Sequence, residues 1–430
     1  MSLGVALIPI MFFFLFAGVN VAFGIGMAVV SGVIFWNEIP MMIIFQQYYQ
    51  GIDSYALLAI ALFMFAGSLM MELGLVNDII AFARVLVGRL KASLAYVNIV
   101  ANVFFAAISG SALADMTAIG KMLIPKMEED GYDTDFSVGL TAAASVIGPI
   151  IPPSIPMVVY ASSMSVSVGA MFIGGVIPGI MLGLALAIIS YFICKKRGYG
   201  TSATQQVAIQ HKARIVVKAL PALMSPIIVL GGIFSGYFTP TESAAIVCLY
   251  ALLLGAFYYR TLTVQTFFRC TLESMVGSAG IYLIVGVAKP FSWLVAMTHL
   301  ADTVTNLVES ITTSPYIYLF ILNIILLILG CLMETSSSIL IFAPLLVPIA
   351  VELGCNPLHV AVIFVLNLML GVATPPFGMC LFIGAGITKR PMFAIFKAIV
   401  PFIVAEIIVL MICTYCPVLI TGLPTLFGYS

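Results

Sequence analysis

Charged side chains are scarce in this sequence, and their scarcity excludes a soluble globular protein. Asp, Glu, Lys and Arg make up 8% of the 430 residues, whereas soluble domains carry about 25%. Hydrophobic residues make up 63% of the chain, and the mean hydropathy is +1.21. Too few polar side chains are present to cover a soluble surface of this size. The net charge is zero, so nothing in the composition favours nucleic acid as a partner.

Motifs for several kinds of catalysis are also missing. The sequence has no Gly-x-x-x-x-Gly-Lys-Ser/Thr motif, which predicts that this chain does not itself use ATP. It has no Gly-x-Ser-x-Gly or His-Glu-x-x-His motif, which disfavours an intramembrane hydrolase. The three histidines are far apart, and the eight cysteines are scattered through apolar segments, where cysteine usually acts as a small hydrophobe. We therefore expect neither an enzyme nor a transition-metal site.

Apolar runs of membrane-spanning length recur from one end of the chain to the other. Examples are Val168–Cys194, Tyr316–Cys331 and Met392–Thr414. A helix that crosses a bilayer needs about 20 predominantly apolar residues. The sequence therefore predicts an all-α, polytopic membrane protein that is surrounded by lipid.

The chain also contains an internal duplication. At several positions, a Pro or Gly is followed by the same residue type 223 positions later; Pro125, for example, is matched by Pro348. The further matches are Gly131 with Gly354, Gly148 with Gly371, the pair Pro152-Pro153 with Pro375-Pro376, and Pro178 with Pro401. We therefore predict two structural repeats, residues 1–194 and 215–430, joined by a polar connector at residues 195–214.

Each repeat is predicted to contain a re-entrant helical hairpin followed by a discontinuous helix. Polar breaks at Ser109–Ala112 and Glu334–Ser338 are followed by apolar segments too short to cross the membrane, so we interpret them as hairpin tips. The motif Gly-x-x-x-Pro-Pro then interrupts the next helix of each repeat, at Gly148–Pro153 and Gly371–Pro376. Proline enforces such an interruption because it lacks an N–H and clashes with the preceding turn.

Basic residues indicate that the repeats are inverted relative to each other. The segment Arg84–Lys91 carries three basic residues, whereas its counterpart Ala301–Pro315 carries two acidic residues and no basic one. Loops rich in Lys and Arg face the cytoplasm. Opposite orientations of the repeats place every Lys and Arg except Lys289 and Lys397 on the cytoplasmic side. The first hairpin then enters the membrane from the cytoplasm and the second from outside.

The breaks supply polar groups for two predicted sodium sites. Unpaired backbone groups in hydrocarbon are costly, so a break persists where protein or a wet cavity satisfies it. Carbonyl oxygens at the negative end of a half-helix, together with hydroxyl groups, suit Na⁺. We predict one site between each hairpin tip and the broken helix of the same repeat. The predicted ligands are Ser109, Gly110, Ser111, Gly148, Ile151 and Pro152 in the first site, and Glu334, Thr335, Ser336, Ser337, Gly371, Thr374 and Pro375 in the second.

A small organic anion is predicted to bind between the two tips. Half-helix N-termini beyond each tip present N–H groups, which suit a carboxylate. The alternative is that Ser, Gly and Pro only allow close helix packing; four breaks related by symmetry favour a site. The predicted substrate contacts are Ser111, Ala112, Asp115, Pro153, Ser154, Ser337, Ser338 and Pro376.

Four other polar positions carry alternative interpretations. Asp115 and Glu334 are interpreted either as groups that tune a cation site or carry a proton, or as acids satisfied in a wet tip. Lys289, within a predicted span, is a functional candidate by its position, or a side chain that snorkels or contacts a partner subunit. Glu242 follows Thr239-Pro240-Thr241, and an acid there favours the start of a helix through the helix dipole alone.

These motifs resemble the large membrane subunit of tripartite ATP-independent periplasmic (TRAP) transporters over essentially the whole chain. The segments that carry the resemblance are Ser109–Ser111, Gly148–Ser154, Pro178-Gly179, Phe238–Glu242 and Gly371–Pro376. The resemblance implies sodium-driven import across the bacterial inner membrane. It also implies two partners, a small four-helix membrane subunit and a soluble periplasmic binding protein. That protein would deliver a sialic acid, a dicarboxylate, or another carboxylate or sulfonate.

The resemblance further implies an elevator mechanism, in which a transport domain slides against a scaffold. The scaffold helices would then be residues 1–91 and 215–315, and the hairpins and broken helices of the transport domain residues 92–166 and 316–388. Glu334 departs from the family, which usually carries Asp at this tip. A stand-alone dicarboxylate/citrate-type sodium symporter is the alternative within transport. A channel or a structural subunit fits less well, because symmetric discontinuous helices suit alternating access.

Overall fold

The computed structural model describes residues 3–36, 39–200, 209–298 and 312–429, and the regular elements of these residues are helices. The helices of the first half are α1 (Leu3–Phe16), α2 (Val21–Trp36), α3 (Met41–Ile52), α4 (Tyr55–Glu72), α5 (Leu75–Val87), α6 (Ser93–Ser109), α7 (Ala112–Glu129), α8 (Thr134–Ser145), α9 (Ile155–Met164) and α10 (Val168–Arg197). Those of the second half are α11 (Ile209–Phe234), α12 (Pro240–Leu253) with a π turn at Leu254–Tyr258, α13 (Val264–Met297), α14 (Pro315–Leu332), α15 (Thr335–Glu352), α16 (Pro357–Ala373), α17 (Met379–Thr388), α18 (Met392–Tyr415) and α19 (Val418–Leu426).

The helices have the lengths and surfaces of a membrane protein. Within the described ranges, eight helices are long and apolar enough to cross a bilayer. Large apolar side chains cover the outside of these helices; Leu184 and Ile188 on α10, for example, are each 60% exposed. An apolar exterior of this extent suits lipid rather than water. The prediction of an all-α polytopic membrane protein is confirmed.

The two halves repeat the same order of elements at the predicted spacing. The hairpin α6–α7 corresponds to α14–α15, and the broken helix α8–α9 corresponds to α16–α17. The second arms of the hairpins begin 223 positions apart, at Ala112 and Thr335, and the broken helices begin 223 positions apart, at Thr134 and Pro357. The predicted hairpins and discontinuous helices are therefore present in both repeats.

Equivalent helices of the two repeats run in opposite directions. α13 begins 223 positions after α3, and it corresponds to α3 and α4 joined into one helix. The Tyr282 hydroxyl donates to the Leu57 carbonyl oxygen at 2.8 Å, and the Ser68 hydroxyl donates to Glu273 at 3.3 Å. The residue number therefore rises along α4 where it falls along α13. Antiparallel packing of equivalent helices is the geometry of inverted repeats.

The predicted boundaries differ from the structure at three places. The charged ends of the predicted connector 195–214 are helical, because α10 continues through three basic residues that favour its C-terminus and α11 already begins at Ile209. The breaks in the two broken helices differ in length, residues 146–154 against residues 374–378. Gly148 therefore lies inside its break, whereas Gly371 lies in the last turn of α16. Residues 201–208 of the connector and residues 301–311 of the acidic counterpart segment lie outside the described ranges.

The helices pack as two groups. The hairpins and broken helices, α6–α9 and α14–α17, pack around α10 and α18, and we call these helices the hairpin bundle. The helices α2–α5 and α11–α13 pack on one another, and we call them the outer group. Small residues allow the two groups to approach closely: a Cβ added to Gly67 of α4 would lie 3.3 Å from the carbonyl oxygen of Ile108 beside the first tip.

Candidate functional site

The first hairpin tip lies directly on the first chain break. Gly110 has a φ of +60°, which favours glycine, and a Cβ added there would lie 2.6 Å from the carbonyl oxygen of Pro153. The Ile155 N–H points to the Gly110 carbonyl oxygen at an N···O distance of 3.5 Å. The tip and break that the sequence assigns to one site are therefore in contact.

Asp115 is buried where this tip meets the break. Its Oδ1 accepts a hydrogen bond from the Ser109 hydroxyl, and its Oδ2 has no partner among the described residues. A Cβ added to Gly148 would collide with that Oδ2. An ionised carboxylate in a buried position is costly unless a cation or hydrogen bonds compensate it. Asp115 thus adds an acidic oxygen to the predicted first sodium site. Asp115 is predicted from the sequence as a substrate contact, but its Oδ2 lies against Gly148 of the break.

Backbone oxygens are available in the first break. The carbonyl oxygens of Gly148, Ile151 and Pro152 accept no hydrogen bond from the described residues. The Ser154 hydroxyl, by contrast, donates to the Pro149 carbonyl oxygen and accepts from the N–H of the third following residue at 3.3 Å. Ser154 therefore serves as the N-cap of α9, and the three carbonyl oxygens that the sequence predicts as ligands remain available for a cation.

The second hairpin packs on the second broken helix through Gly330 and Gly371. A Cβ added to Gly371 would lie 2.5 Å from the Cα of Gly330. The Gly371 carbonyl oxygen accepts from the Thr374 N–H at 3.0 Å, and the Thr374 hydroxyl donates to the Leu370 carbonyl oxygen at 2.7 Å. The Thr374 hydroxyl oxygen retains lone pairs for a cation. The second hairpin and the second broken helix are therefore in contact one turn before the tip and one turn before the break, with fewer free carbonyl oxygens among the predicted ligands.

Glu334 folds back over its own hairpin tip. Its Oε2 accepts from the N–H and hydroxyl of Ser337 at 2.9 and 3.1 Å, and its Oε1 accepts from the Ser336 hydroxyl at 2.9 Å. The hypothesis that N–H groups beyond both tips are free is wrong for Ser337, because this N-cap carboxylate occupies its N–H. At the first tip the equivalent N-cap is Ser111, whose oxygen lies 3.5 Å from the Ala114 nitrogen.

The remaining predicted site residues lie at the same two places. Ala112 is the first residue of α7, Thr335 the first of α15, and both are buried. Ser338 is fully buried, and its hydroxyl has no partner among the described residues. Pro375 and Pro376 lie in the second break and are joined by a cis peptide bond, as are Pro152 and Pro153 in the first. Binding of sodium or substrate by any of these residues stays a prediction.

The repeats meet beside the first break. The Ser145 hydroxyl, at the end of α8, lies 3.4 Å from the Cys380 sulfur on α17 of the other repeat. The half-helices of the two repeats are thus side by side at the depth of the chain breaks.

Sequence reasoning missed Glu406 and two asparagine networks. Glu406 is fully buried in α18, and neither of its carboxylate oxygens has a partner among the described residues. Its signal in the sequence is a single acid inside an apolar run. The asparagine networks tie each hairpin to neighbouring helices of the bundle. They join Asn98 to Asn102 and Thr141, and Asn323 to Asn367 and Thr414.

A broad cavity of about 540 Å³ separates the first hairpin from the outer group. Glu72 and Asn77 line it from α4 and the start of α5, and Thr117 and Lys121 line it from α7. Because hairpin α6–α7 is predicted to enter from the cytoplasm, this cavity is predicted to open on that side. It would connect the first tip with the cytoplasm.

Inverted repeats with paired hairpins and broken helices define a protein built as a secondary transporter. A profile of the family described as "Tripartite ATP-independent periplasmic transporter, DctM component" matches residues 8–419. The chain belongs to this family. It is therefore the large permease component of a tripartite transporter, a multi-pass protein of the bacterial inner membrane and not an enzyme.

Several characterised relatives align with most of the chain. The large permease SiaM of the sialic acid TRAP transporter of Vibrio cholerae is 40% identical, over 97% of each chain. The isethionate TRAP permease DctMQ of Oleidesulfovibrio alaskensis is 37% identical over 95% of this chain and 65% of that longer protein. The C4-dicarboxylate permease DctM of Pseudomonas aeruginosa is 36% identical over 88% of each chain.

The fold is also similar to that of a solved transporter. The crystal structure of the YdaH transporter of Alcanivorax borkumensis superposes with a TM-score of 0.64 over 90% of this chain and 89% of that one. The two sequences are 13% identical. At this identity the similarity concerns the fold alone.

Proposed function

We propose that this permease imports a small organic anion, coupled to the sodium gradient, by an elevator mechanism. The hairpin bundle would be the transport domain and the outer group most of the scaffold. A periplasmic binding protein would deliver the substrate, and a small four-helix membrane subunit would complete the transporter. The observation that carries the proposal is the pairing of each hairpin tip with the broken helix of its own repeat, through Gly110 on Pro153 and Gly330 on Gly371.

The chemistry of the first pairing supports a hard monovalent cation. Three free carbonyl oxygens, the Ser109 hydroxyl and the free Oδ2 of Asp115 lie at or beside one break. Oxygen donors of this kind suit Na⁺, and the negative end of the half-helix α8 adds to the attraction. The second pairing offers the Thr374 hydroxyl oxygen and the Pro375 carbonyl oxygen, which accepts no hydrogen bond from the described residues.

The substrate class follows from the relatives and from the hydroxyl groups of the tips. The relatives named above transport sialic acid, isethionate or C4-dicarboxylates, which are all small organic anions with a carboxylate or sulfonate. Ser111 at the first tip and Ser338 at the second offer hydroxyl donors to such a group, whereas the Ser337 hydroxyl already donates to Glu334.

Reconstitution tests the proposal. The permease and its small subunit are placed in liposomes, and the binding protein is added outside. Uptake of radiolabelled N-acetylneuraminate, succinate and isethionate is then measured with an inward sodium gradient and with potassium instead. We expect one of these anions to accumulate in sodium alone. Uptake that needs no binding protein would favour a stand-alone symporter, and current without saturable uptake would favour a channel.

Two variants test the sodium sites, each with a matched control. Ser111→Ala and Thr374→Ala should raise the sodium concentration for half-maximal uptake by about tenfold, the effect of one lost oxygen ligand. Ser167→Ala is the control for Ser111, because Ser167 is likewise an N-cap serine, of α10. Thr388→Ala is the control for Thr374, because its hydroxyl also donates to a carbonyl oxygen four residues earlier. Wild-type sodium dependence in both test variants would contradict the sites.

A further inference from the structure

A second, smaller cavity lies between the outer group and the hairpin bundle, away from the chain breaks. Its volume is about 120 Å³, equivalent to about four water molecules. α13 and the α3–α4 junction form one wall, and α9 and α15 form the other. The polar residues that line it are Gln50, Ser54, Ser162, Ser163, Lys289 and Ser292.

This lining has the composition of an anion site. It contains one ammonium group, four hydroxyl groups and one amide, and none of its residues is acidic. The ion pairs of the described residues do not include Lys289. A lysine within a membrane-spanning helix is costly unless an anion or water compensates its charge. The cavity therefore supplies donors and a positive charge without a carboxylate to neutralise it.

Two contacts place Lys289 and the serines beside the cavity, and Lys289 itself is exposed. A Cβ added to Gly51 would lie 2.9 Å from the Cβ of Lys289, so the end of α3 packs directly on the stem of the lysine. Across the cavity mouth, the hydroxyl groups of Ser54 and Ser162 lie 3.2 Å apart and join the outer group to α9. The small residue at position 51 thus allows a charged side chain to stand at the boundary between the two groups of helices.

The inverted repeats relate this cavity to the broad one. Leu340 and Pro344 line the small cavity, and their counterparts 223 positions earlier, Thr117 and Lys121, line the broad cavity of about 540 Å³. The two cavities thus adjoin equivalent positions of α7 and α15, and one cavity is wide whereas the other is narrow. In transporters with inverted repeats, the two sides open alternately around the central site. By this relation the small cavity would lie on the periplasmic side and would widen when the site faces the periplasm.

We propose that Lys289, with Ser54, Ser162, Ser163 and Ser292, forms a receiving subsite for the carboxylate or sulfonate of the incoming anion. The anion would bind there after leaving the binding protein and before it reaches the hairpin tips. An ammonium group with three donors and several hydroxyl groups match the oxygens of such a group. This inference rests on the proposed function, because it places the subsite on the path of an imported organic anion.

Kinetics of the reconstituted transporter test the subsite. The probe is whichever of N-acetylneuraminate, succinate and isethionate the wild type takes up. Lys289→Met should raise the KM for the delivered anion about tenfold and leave the half-maximal sodium concentration unchanged, whereas Lys289→Arg should keep the KM within about twofold. Lys397→Met, which removes the other lysine assigned to a span, is the control. An unchanged KM in Lys289→Met would overturn the proposal.

Chemical modification provides a second, independent readout. In Lys289→Cys, attachment of an aminoethyl group by a methanethiosulfonate should restore the KM, and attachment of a sulfonatoethyl group should raise it further. The wild type, treated in parallel, accounts for the eight native cysteines. Millimolar N-acetylneuraminate, succinate or isethionate should slow modification of position 289 even in liposomes without a sodium gradient. If none of the three anions slows modification relative to the rate without anion, the subsite is overturned.

The possible failures are distinguishable. If the wild type takes up none of the three anions in sodium, the proposed function fails, while protection of position 289 from modification still reports on the subsite. If Lys289→Met loses the small membrane subunit during purification, Lys289 is a subunit contact and the subsite is wrong. If the KM rises while the subunit is retained, the subsite is supported.

Discussion

Gly330 and Gly371 form the contact between the second hairpin and the second broken helix. A Cβ on Gly371 would lie 2.5 Å from the Cα of Gly330 and 2.9 Å from the backbone nitrogen of Cys331. Two glycines at a helix crossing let the backbones approach closely, as is common in membrane proteins. The tip of one element is thereby held within reach of the break in the other.

Gly371→Ala should therefore separate the hairpin from the broken helix. Overpacking of this kind costs about 1–3 kcal/mol, and we expect a lower Tm in detergent together with weaker sodium-dependent uptake. Gly386→Ala is the control, because position 386 on α17 has open space around it. That variant should retain or slightly increase the Tm, since alanine favours a helix over glycine. Equal Tm values for the two variants would show that the glycine crossing is not tightly packed.

Because Gly148 lies against Asp115, we predict that a side chain at position 148 impairs sodium-dependent uptake and leaves the folded protein intact. In Gly148→Ala the new methyl group collides with the Asp115 Oδ2 and displaces the carboxylate from the break. We expect sodium-dependent uptake to fall more than tenfold while the protein stays monodisperse in size-exclusion chromatography. Gly231→Ala, with no atom near the added methyl group, should behave as the wild type. Asp115→Asn should weaken the response to sodium as well, because it removes the charge and keeps the shape.

The hydrogen bonds of Glu334 predict that removing its carboxylate will lower both the stability of the second tip and the response to sodium. Glu334→Ala leaves three donors, on Ser336 and Ser337, without their acceptor, and loss of an N-cap alone costs about 1 kcal/mol. We expect a lower Tm and a sodium response weaker than that of Thr374→Ala. Glu242→Ala is the matched control. Glu242 also caps a helix start, through Thr239, but its helix belongs to the outer group. If Glu242→Ala also changes the sodium dependence, the effect of Glu334→Ala would come from lost helix stability and not from the sodium site.

A pair in the outer group predicts an effect on stability alone. Asp78 is 5% exposed and lies 2.9 Å from the Lys218 ammonium and 2.8 Å from the Tyr259 hydroxyl. Lys218→Met leaves the buried carboxylate without its cation, which should destabilise the protein by about 1–2 kcal/mol, since the exposed lysine is screened by solvent. Adding Asp78→Asn should recover part of the lost Tm. A double variant less stable than Lys218→Met would contradict the pairing, and uptake kinetics should be unchanged in both.

The positions of the hairpins and breaks could be read from the sequence because their causes are local. Proline removes a donor and clashes with the preceding turn wherever it occurs in a helix, so Pro152-Pro153 and Pro375-Pro376 mark breaks in any tertiary context. The recurrence of Gly148 as Gly371 then relates the two repeats. The family resemblance was carried by the same short segments, and the match over residues 8–419 confirms it.

The partners of the polar groups could not be read from the sequence. The sequence left open whether Glu334 tunes a cation site, carries a proton or is satisfied within the tip, and the structure shows that it accepts hydrogen bonds from its own helix start. Glu406 drew no attention within its apolar run, although it is fully buried and lacks a partner among the described residues. Which donor reaches a given oxygen depends on helix rotation and crossing distance, which sequence spacing leaves open.

The sequence by itself determined that the chain spans a membrane, that it is duplicated and inverted, and where its helices break. Composition, proline chemistry and the distribution of basic residues act without regard to the final packing. Only the tertiary structure decided that each hairpin packs on the broken helix of its own repeat, that α3 and α4 in one repeat match a single α13 in the other, and that the cavity beside α7 is wide and the one beside α15 narrow. These features depend on how helices distant in sequence fit against one another, and close packing fixes that fit through many contacts at once.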